Sequence, residues 1–172
     1  MVRHYSDDSV ITFAMEMGMT PYVNLLKTIL KNEYMKNKEC PFVEEKAIAL
    51  DEYEKVNAKK EKRQQRPTVD CVIGLEHNQL LMVEMKFNAT SRNKKNLAND
   101  VMLKHESSCG ILRCSSNYVC LNKMVVLLSD KNFDTQKNKL HRSLANNPNY
   151  EILRTSEFYN RYFKGDEQKV TA

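Results

Sequence analysis

Two apolar runs, Thr68 to Leu75 and Gln79 to Phe87, flank the polar triplet Glu76-His77-Asn78, and no other pattern constrains this chain as much. Successive side chains alternate between the faces of a strand, and a polar triplet between two such runs marks a hairpin. A loop centred on His77 sets Asp70 opposite Glu84. In that register Val69, Cys71, Ile73 and Leu75 share one face with Leu81, Val83, Met85 and Phe87, a surface fit for a core. The other face carries Thr68, Asp70 and Val72 with Leu80, Met82, Glu84 and Lys86. It is apolar except where Asp70, Glu84 and Lys86 meet.

Carboxylates opposed across two strands repel, at a cost of ~0.2 to 1 kcal/mol. A divalent cation offsets that cost. Hard ions such as Mg²⁺ take carboxylate and water oxygens, often with only one or two protein carboxylates. Such an ion acidifies a water and neutralises charge on a phosphate, and Lys86 on the same face adds a compact cation beside it. The bland reading stays open beside this one: outward strand faces often carry Asp, Glu and Lys as solvated or ion-paired groups.

At Arg66-Pro67-Thr68-Val69-Asp70-Cys71-Val72-Ile73-Gly74 and Leu81-Met82-Val83-Glu84-Met85-Lys86-Phe87 the chain resembles the PD-(D/E)xK nuclease superfamily, the restriction-endonuclease-like fold. One departure is visible, because Thr68 and Val69 separate Pro67 from Asp70. The resemblance implies an α/β fold with a central mixed β-sheet flanked by helices on both faces. It implies Asp70 and Glu84 as ligands of Mg²⁺ or Mn²⁺, Lys86 as the third catalytic residue, and a hydrolase that cuts phosphodiester bonds in DNA. A helix-borne acid often completes such a site, and Glu33 and Glu16 are the candidates here, with Glu52 behind them. A homodimer would suit an enzyme that cuts two strands. Fold does not dictate function, so a catalytically inactive member that binds nucleic acid or a protein partner is the second reading.

The chain has 172 residues, 41% hydrophobic and 28% charged, which fits one domain over 1–172 with a frayed tail from 165. Its net charge of +5 permits nucleic-acid binding without demanding it. The bases cluster around the hairpin: Lys55, Lys59, Lys60, Lys62, Arg63 and Arg66 before it, Arg92, Lys94 and Lys95 after it. Such flanks could hold a phosphate backbone, or simply be solvated. The first residues lack the apolar core of a signal peptide and no run is long enough for a membrane span, so a cytoplasmic protein with free thiols is expected. His105, Cys109, Cys114 and Cys120 lack the paired spacing of a zinc knuckle, which argues against zinc.

Elsewhere, the pattern predicts a helix from Ser6 to Met17 closed by Gly18, and a long packing helix entered at Thr20-Pro21 with Tyr22, Val23, Leu25, Leu26, Ile29, Leu30 and Tyr34 inward. Residues Phe42 to Val56 are ambiguous; the resemblance favours a strand from Ala47 to Val56, local propensity a helix. A helix capped by Thr90 or Ser91 runs to about Glu106, with Lys94 and Lys95 in its first turn. Ser107 to Asn122 has no clear assignment. A buried strand at Lys123 to Ser129, a helix at Asp134 to Asn146, a strand at Tyr150 to Leu153 and a helix at Thr155 to Phe163 complete the reading.

Overall fold

The computed structural model describes residues 3–33, 40–88, 97–113 and 115–165. Chain order is α1 (Asp7–Glu16), β1 (Val23–Leu25), α2 (Leu26–Asn32), β2 (Lys46–Ile48), α3 (Leu50–Lys60), β3 (Cys71–Leu75), β4 (Gln79–Lys86), α4 (Leu97–Leu112), β5 (Val119–Leu128), α5 (Phe133–Ser143), β6 (Tyr150–Arg154) and α6 (Thr155–Tyr162). The six strands form one mixed sheet in sequential order. β1 to β4 pair antiparallel, whereas β5 and β6 run parallel to β4. Those parallel steps need crossovers, and α4 and α5 supply them.

Helices cover both faces of the sheet. Val10, Phe13 and Ala14 of α1, Val101 and Leu112 of α4 and Leu140 of α5 pack with Val72, Leu80, Met82 and Val126. Across the sheet, Leu26 and Leu30 of α2 and Phe158 and Tyr162 of α6 pack with Cys71, Ile73, Leu81, Val83 and Val125. The parity expected for the hairpin is therefore present, Val69 excepted. Val69 joins the first cluster because β3 begins at Cys71, two residues beyond it.

The observed register pairs Cys71 with Val83, Ile73 with Leu81 and Leu75 with Gln79. It is the one set by a loop centred on His77. His77 and Asn78 hold left-handed backbone (φ 60° and 55°), a region that Asn and His enter more readily than most residues.

Three expectations are corrected. The helix predicted from Thr20 is instead a 3-10 turn at Thr20–Tyr22, strand β1 and a short α2. Val23, Asn24 and Leu25 pair with Ile48, Ala47 and Lys46, and this distant partner outweighs the local helical spacing. The strand expected over Ala47 to Val56 ends at Ile48, and α3 follows it. Asp51 and Glu52 in the first turn of α3 and Lys59 and Lys60 in its last complement the helix dipole. Finally, α4 continues past Glu106 to Leu112; its predicted caps Thr90 and Ser91 lie outside the described residues, as do Tyr34 and the tail from 166.

The loop leading to Asp70 is anchored by Glu54 of α3, a fully buried carboxylate. It accepts hydrogen bonds from the Arg63 guanidinium, from Arg66 N–H (2.8 Å) and from Arg66 Nη2 (2.9 Å). Burial would raise the Glu54 carboxyl, but the hydrogen bonds from Arg63 and Arg66 outweigh it and hold the group at about 2. A carboxyl lowered in the folded state stabilises above its unfolded value of 4.5, and that contribution is lost as pH falls through about 2. Glu54→Gln should therefore cost about 2 kcal/mol at neutral pH, discounted for the partly exposed arginines. Urea unfolding across pH checks it: the gap between variant and wild type should close toward pH 2, and a gap independent of pH would refute the account.

Candidate functional site

Asp70 sits at the residue before β3, and Glu84 and Lys86 lie near the end of β4, so the hairpin register brings the three together. Met85 N–H donates to Asp70 Oδ2 at 2.7 Å, which holds the Asp70 carboxylate one residue from Glu84. Glu84 is fully buried. Its Oε1 accepts from Lys86 Nζ and Lys104 Nζ, each at 2.7 Å, while its Oε2 is buried without a hydrogen-bond partner. Lys86 Nζ also reaches Asp100 Oδ2 at 2.7 Å.

Helix α4 supplies what the sequence reading missed. Asp100, Lys104 and Ser108 recur every four residues along one line of the helix, as i, i+4 neighbours do. Asp100 meets Lys86, Lys104 meets Glu84, and the buried Ser108 hydroxyl accepts from Val69 N–H at 3.0 Å, just before Asp70. The signal was present as polar residues at helical spacing beside the apolar Val101 and Leu112. A second polar anchor lies nearby, where Thr68 Oγ1 donates to Asp51 Oδ1 at 3.2 Å.

Burial, then the charges of Glu84 and Glu33, push the Asp70 carboxyl up to about 8. Glu33, the residue after α2, is raised by burial and next by Glu84. The helix-borne candidate Glu33 therefore shares the field of the hairpin carboxylates. The other candidate does not: Glu16 accepts from Ser115 Oγ (3.0 Å) and Asn117 Nδ2 (3.2 Å), bracing the connection into β5. Glu52 is exposed on α3. For Lys86, burial alone would lower the ammonium, but Glu84 and Asp100 outweigh it and hold it above the usual lysine range. It is a fixed cation, not a base.

Among the described residues no group of three or more His, Cys, Asp or Glu side chains is arranged to hold a metal ion. A magnesium-type site does not require three, since one or two carboxylates with waters suffice. Glu84 Oε2 is the fitting donor: an acceptor buried without a partner costs on the order of 1–3 kcal/mol, more for a charged group, and a cation would satisfy it. Asp70 and Glu84 thus fit a hard divalent ion. His105, Cys109 and Cys120 do not form a zinc set among the described residues, and Cys114 lies outside them.

Of the expected nucleic-acid contacts, Lys59, Lys60 and Lys62 are exposed at the end of α3 and the start of the following loop. Arg63 and Arg66, partly exposed, are each paired with Glu54. Arg92, Lys94 and Lys95 lie outside the described residues.

The raised Asp70 carboxyl makes a prediction for metal-free protein. A group raised in the folded state stabilises fully below its unfolded value of 3.8, and that stability is lost as pH rises through about 8. With a chelator present, Asp70→Asn should become more stable than wild type across this window, by on the order of a few kcal/mol. Parallel stability curves from pH 4 to 8 would count against the burial of this charge.

Among the described residues no helix is long and apolar enough to cross a membrane. In comparisons with known proteins, no family model matches the chain, and neither a curated protein nor a solved structure matches it.

Proposed function

We propose that this chain is a nuclease of the restriction-endonuclease-like fold, hydrolysing phosphodiester bonds in DNA with Mg²⁺ or Mn²⁺ held by Asp70 and Glu84. The observation that carries the reading is that Asp70, at the residue before β3, lies beside Glu84 of β4 in buried surroundings, with Glu84 Oε2 left without a partner. A divalent ion there supplies neutralisation of phosphate charge and an acidified water. The chain's own residues do the rest. Lys86, fixed as an ammonium by Glu84 and Asp100, orients the attacking water or a phosphate oxygen. Lys104 neutralises the Glu84 oxygen that faces α4, and Glu33 adds negative charge that favours the cation. Lys59, Lys60 and Lys62 offer the phosphate backbone exposed cations.

A second reading, a catalytically inactive member of that fold serving as a binding module, is favoured by one observation: Glu84 Oε1 is already neutralised by two lysines. One experiment separates the two. Supercoiled and single-stranded DNA are incubated with the protein and Mn²⁺, alongside Glu84→Ala and Lys86→Ala. Cleavage that needs Mn²⁺ and is lost in both variants supports the nuclease. Absence of cleavage together with no Mn²⁺ binding by calorimetry sinks it; a salt-dependent DNA mobility shift that survives in both variants then supports the binding module.

A further inference from the structure

Away from the hairpin carboxylates, α4, β5 and β6 border an open pocket of about 420 Å³ lined in part by His105, Glu106, Cys109, Arg113, Asn122 and Tyr150. Cys109 is on its wall, in the fourth turn of α4. Cys120, the second residue of β5, shares the same buried cluster, and each thiol acts on the charge of the other; the Cys109 S–H points to Met82 Sδ (4.0 Å) and the Cys120 S–H to Leu121 O (3.7 Å). Both are free thiols, each under one-tenth exposed. His105 stands one turn before Cys109 on the same helix and Arg113 one turn after it. Tyr150 OH meets His105 Nδ1 at 3.0 Å, and the other ring nitrogen, Nε2, is buried without a hydrogen-bond partner. Two neighbouring thiols, on different elements, beside an unsatisfied imidazole and a guanidinium, exceed what packing alone requires.

We propose that Cys109 and Cys120 are a peroxide-reactive thiol pair, with Cys109 attacking a small hydroperoxide that enters this pocket and Cys120 closing a disulfide between α4 and β5. The electrostatics divide the roles in the same way. The neighbouring Cys120 thiol, then His105 and Arg113, draws the Cys109 thiol well below the ordinary thiol range against the opposing effect of burial. The neighbouring Cys109, then burial, pushes Cys120 up. The thiolate is the nucleophile, so the residue facing the pocket is the reactive one and its neighbour keeps its proton. Cys71 is the internal contrast, since burial and then the charges of Asp70 and Glu84 raise it well above the ordinary range.

The steps balance. The Cys109 thiolate attacks the peroxide oxygen; an S–O bond forms, the O–O bond breaks, and the departing hydroxide or alkoxide takes a proton, leaving a sulfenic acid. Cys120 sulfur then attacks the Cys109 sulfur. An S–S bond forms, and the hydroxyl leaves as water with the Cys120 proton. Two thiols lose two electrons and one peroxide gains them.

The test uses the reduced full chain with substoichiometric hydrogen peroxide, quenched by alkylation and mapped after trypsin digestion. The expected product joins the peptide His105–Arg113 to the peptide Cys114–Lys123 through Cys120, which fragmentation distinguishes from Cys114. It should form about tenfold faster than Cys40 or Cys71 is oxidised. Cys120→Ser should instead accumulate a Cys109 sulfenic acid trapped by dimedone, and Cys109→Ser should leave Cys120 unoxidised. Oxidation of Cys40, Cys71 or Cys114 ahead of Cys109, a link to Cys114, or oxidation of Cys120 undiminished in Cys109→Ser overturns the proposal. The wild-type map decides alone where a variant fails to fold.

Discussion

On the nuclease proposal, Glu84→Gln should reduce Mn²⁺-dependent DNA cleavage by about a thousandfold while leaving the chain folded. The substitution keeps the side chain's shape and one acceptor for the lysines, but removes the charge that a hard cation needs. Lys86 and Lys104 now meet across the same oxygen. Without the carboxylate they face each other as two ammonium groups, a repulsion of ~3 kcal/mol at ~5 Å and an effective dielectric near 20. Two effects reduce that cost. Asp100 stays on Lys86, and Asp70, freed from the Glu84 charge, ionises more readily. Thermal unfolding should therefore show a modest loss beside a large kinetic one. Two further variants sharpen the test. Glu33→Gln should weaken Mn²⁺ binding, because Glu33 lies in the field of the hairpin carboxylates, whereas Glu16→Gln should leave it unchanged, because Glu16 is spent on Ser115 and Asn117. Equal losses at 33 and 16, or cleavage at Glu84→Gln within tenfold of wild type, would contradict the assignment of the site.

The hairpin was legible because its information is local. Turn position fixes register by arithmetic, and alternating apolar residues on both sides admit only one choice that buries them. Asp70, Glu84 and Lys86 followed directly. The segment from Thr20 to Leu30 was misread for the opposite reason: its apolar residues satisfy helical spacing, but Val23 to Leu25 have a strand partner about twenty residues on, which no local window contains. Helix α3 is legible in its dipole match, with Asp51 and Glu52 in the first turn and Lys59 and Lys60 in the last, a signal that competes with the alternating Ile48 and Leu50 at its start. Hardest to see were Asp100, Lys104 and Ser108. Each is an ordinary helix residue until β4 and the residue before Asp70 lie against it, and the crossover that brings them there is a property of the parallel sheet.

Gly74→Ala should be the most damaging alanine substitution among the four glycines, costing about 3 kcal/mol or more. Gly74 lies in β3 on the face under α1. A β-carbon there would stand 2.5 Å from Val10 N, 2.7 Å from Ser6 O and 2.9 Å from Ser9 Cβ. Two of the three are backbone atoms, so no rotamer change relieves them; a glycine inside a strand often marks such an approach of another backbone. The contact is also pinned from both sides. Ser6 N–H donates to Gly74 O at 2.9 Å, Ser9 Oγ–H donates to Leu75 O at 2.7 Å, and Ser6 caps α1 by accepting from Ser9 N–H. To admit the methyl group, α1 must lift from the sheet and loosen Val10, Phe13 and Ala14, all fully buried. In a chain of this size that corresponds to a midpoint lowered by roughly 6 to 12 °C. Gly110→Ala is the matched control, since beyond its chain neighbours and the backbone of its own helix nothing lies within 4 Å of its would-be β-carbon, and it sits inside α4. It should gain about 0.5–1 kcal/mol from helix propensity and a less mobile unfolded chain. Calorimetry of the two variants gives opposite signs if α1 is seated on Gly74 as described; a Gly74→Ala midpoint within about 2 °C of wild type, under 1 kcal/mol, would mean that α1 is not held at this distance.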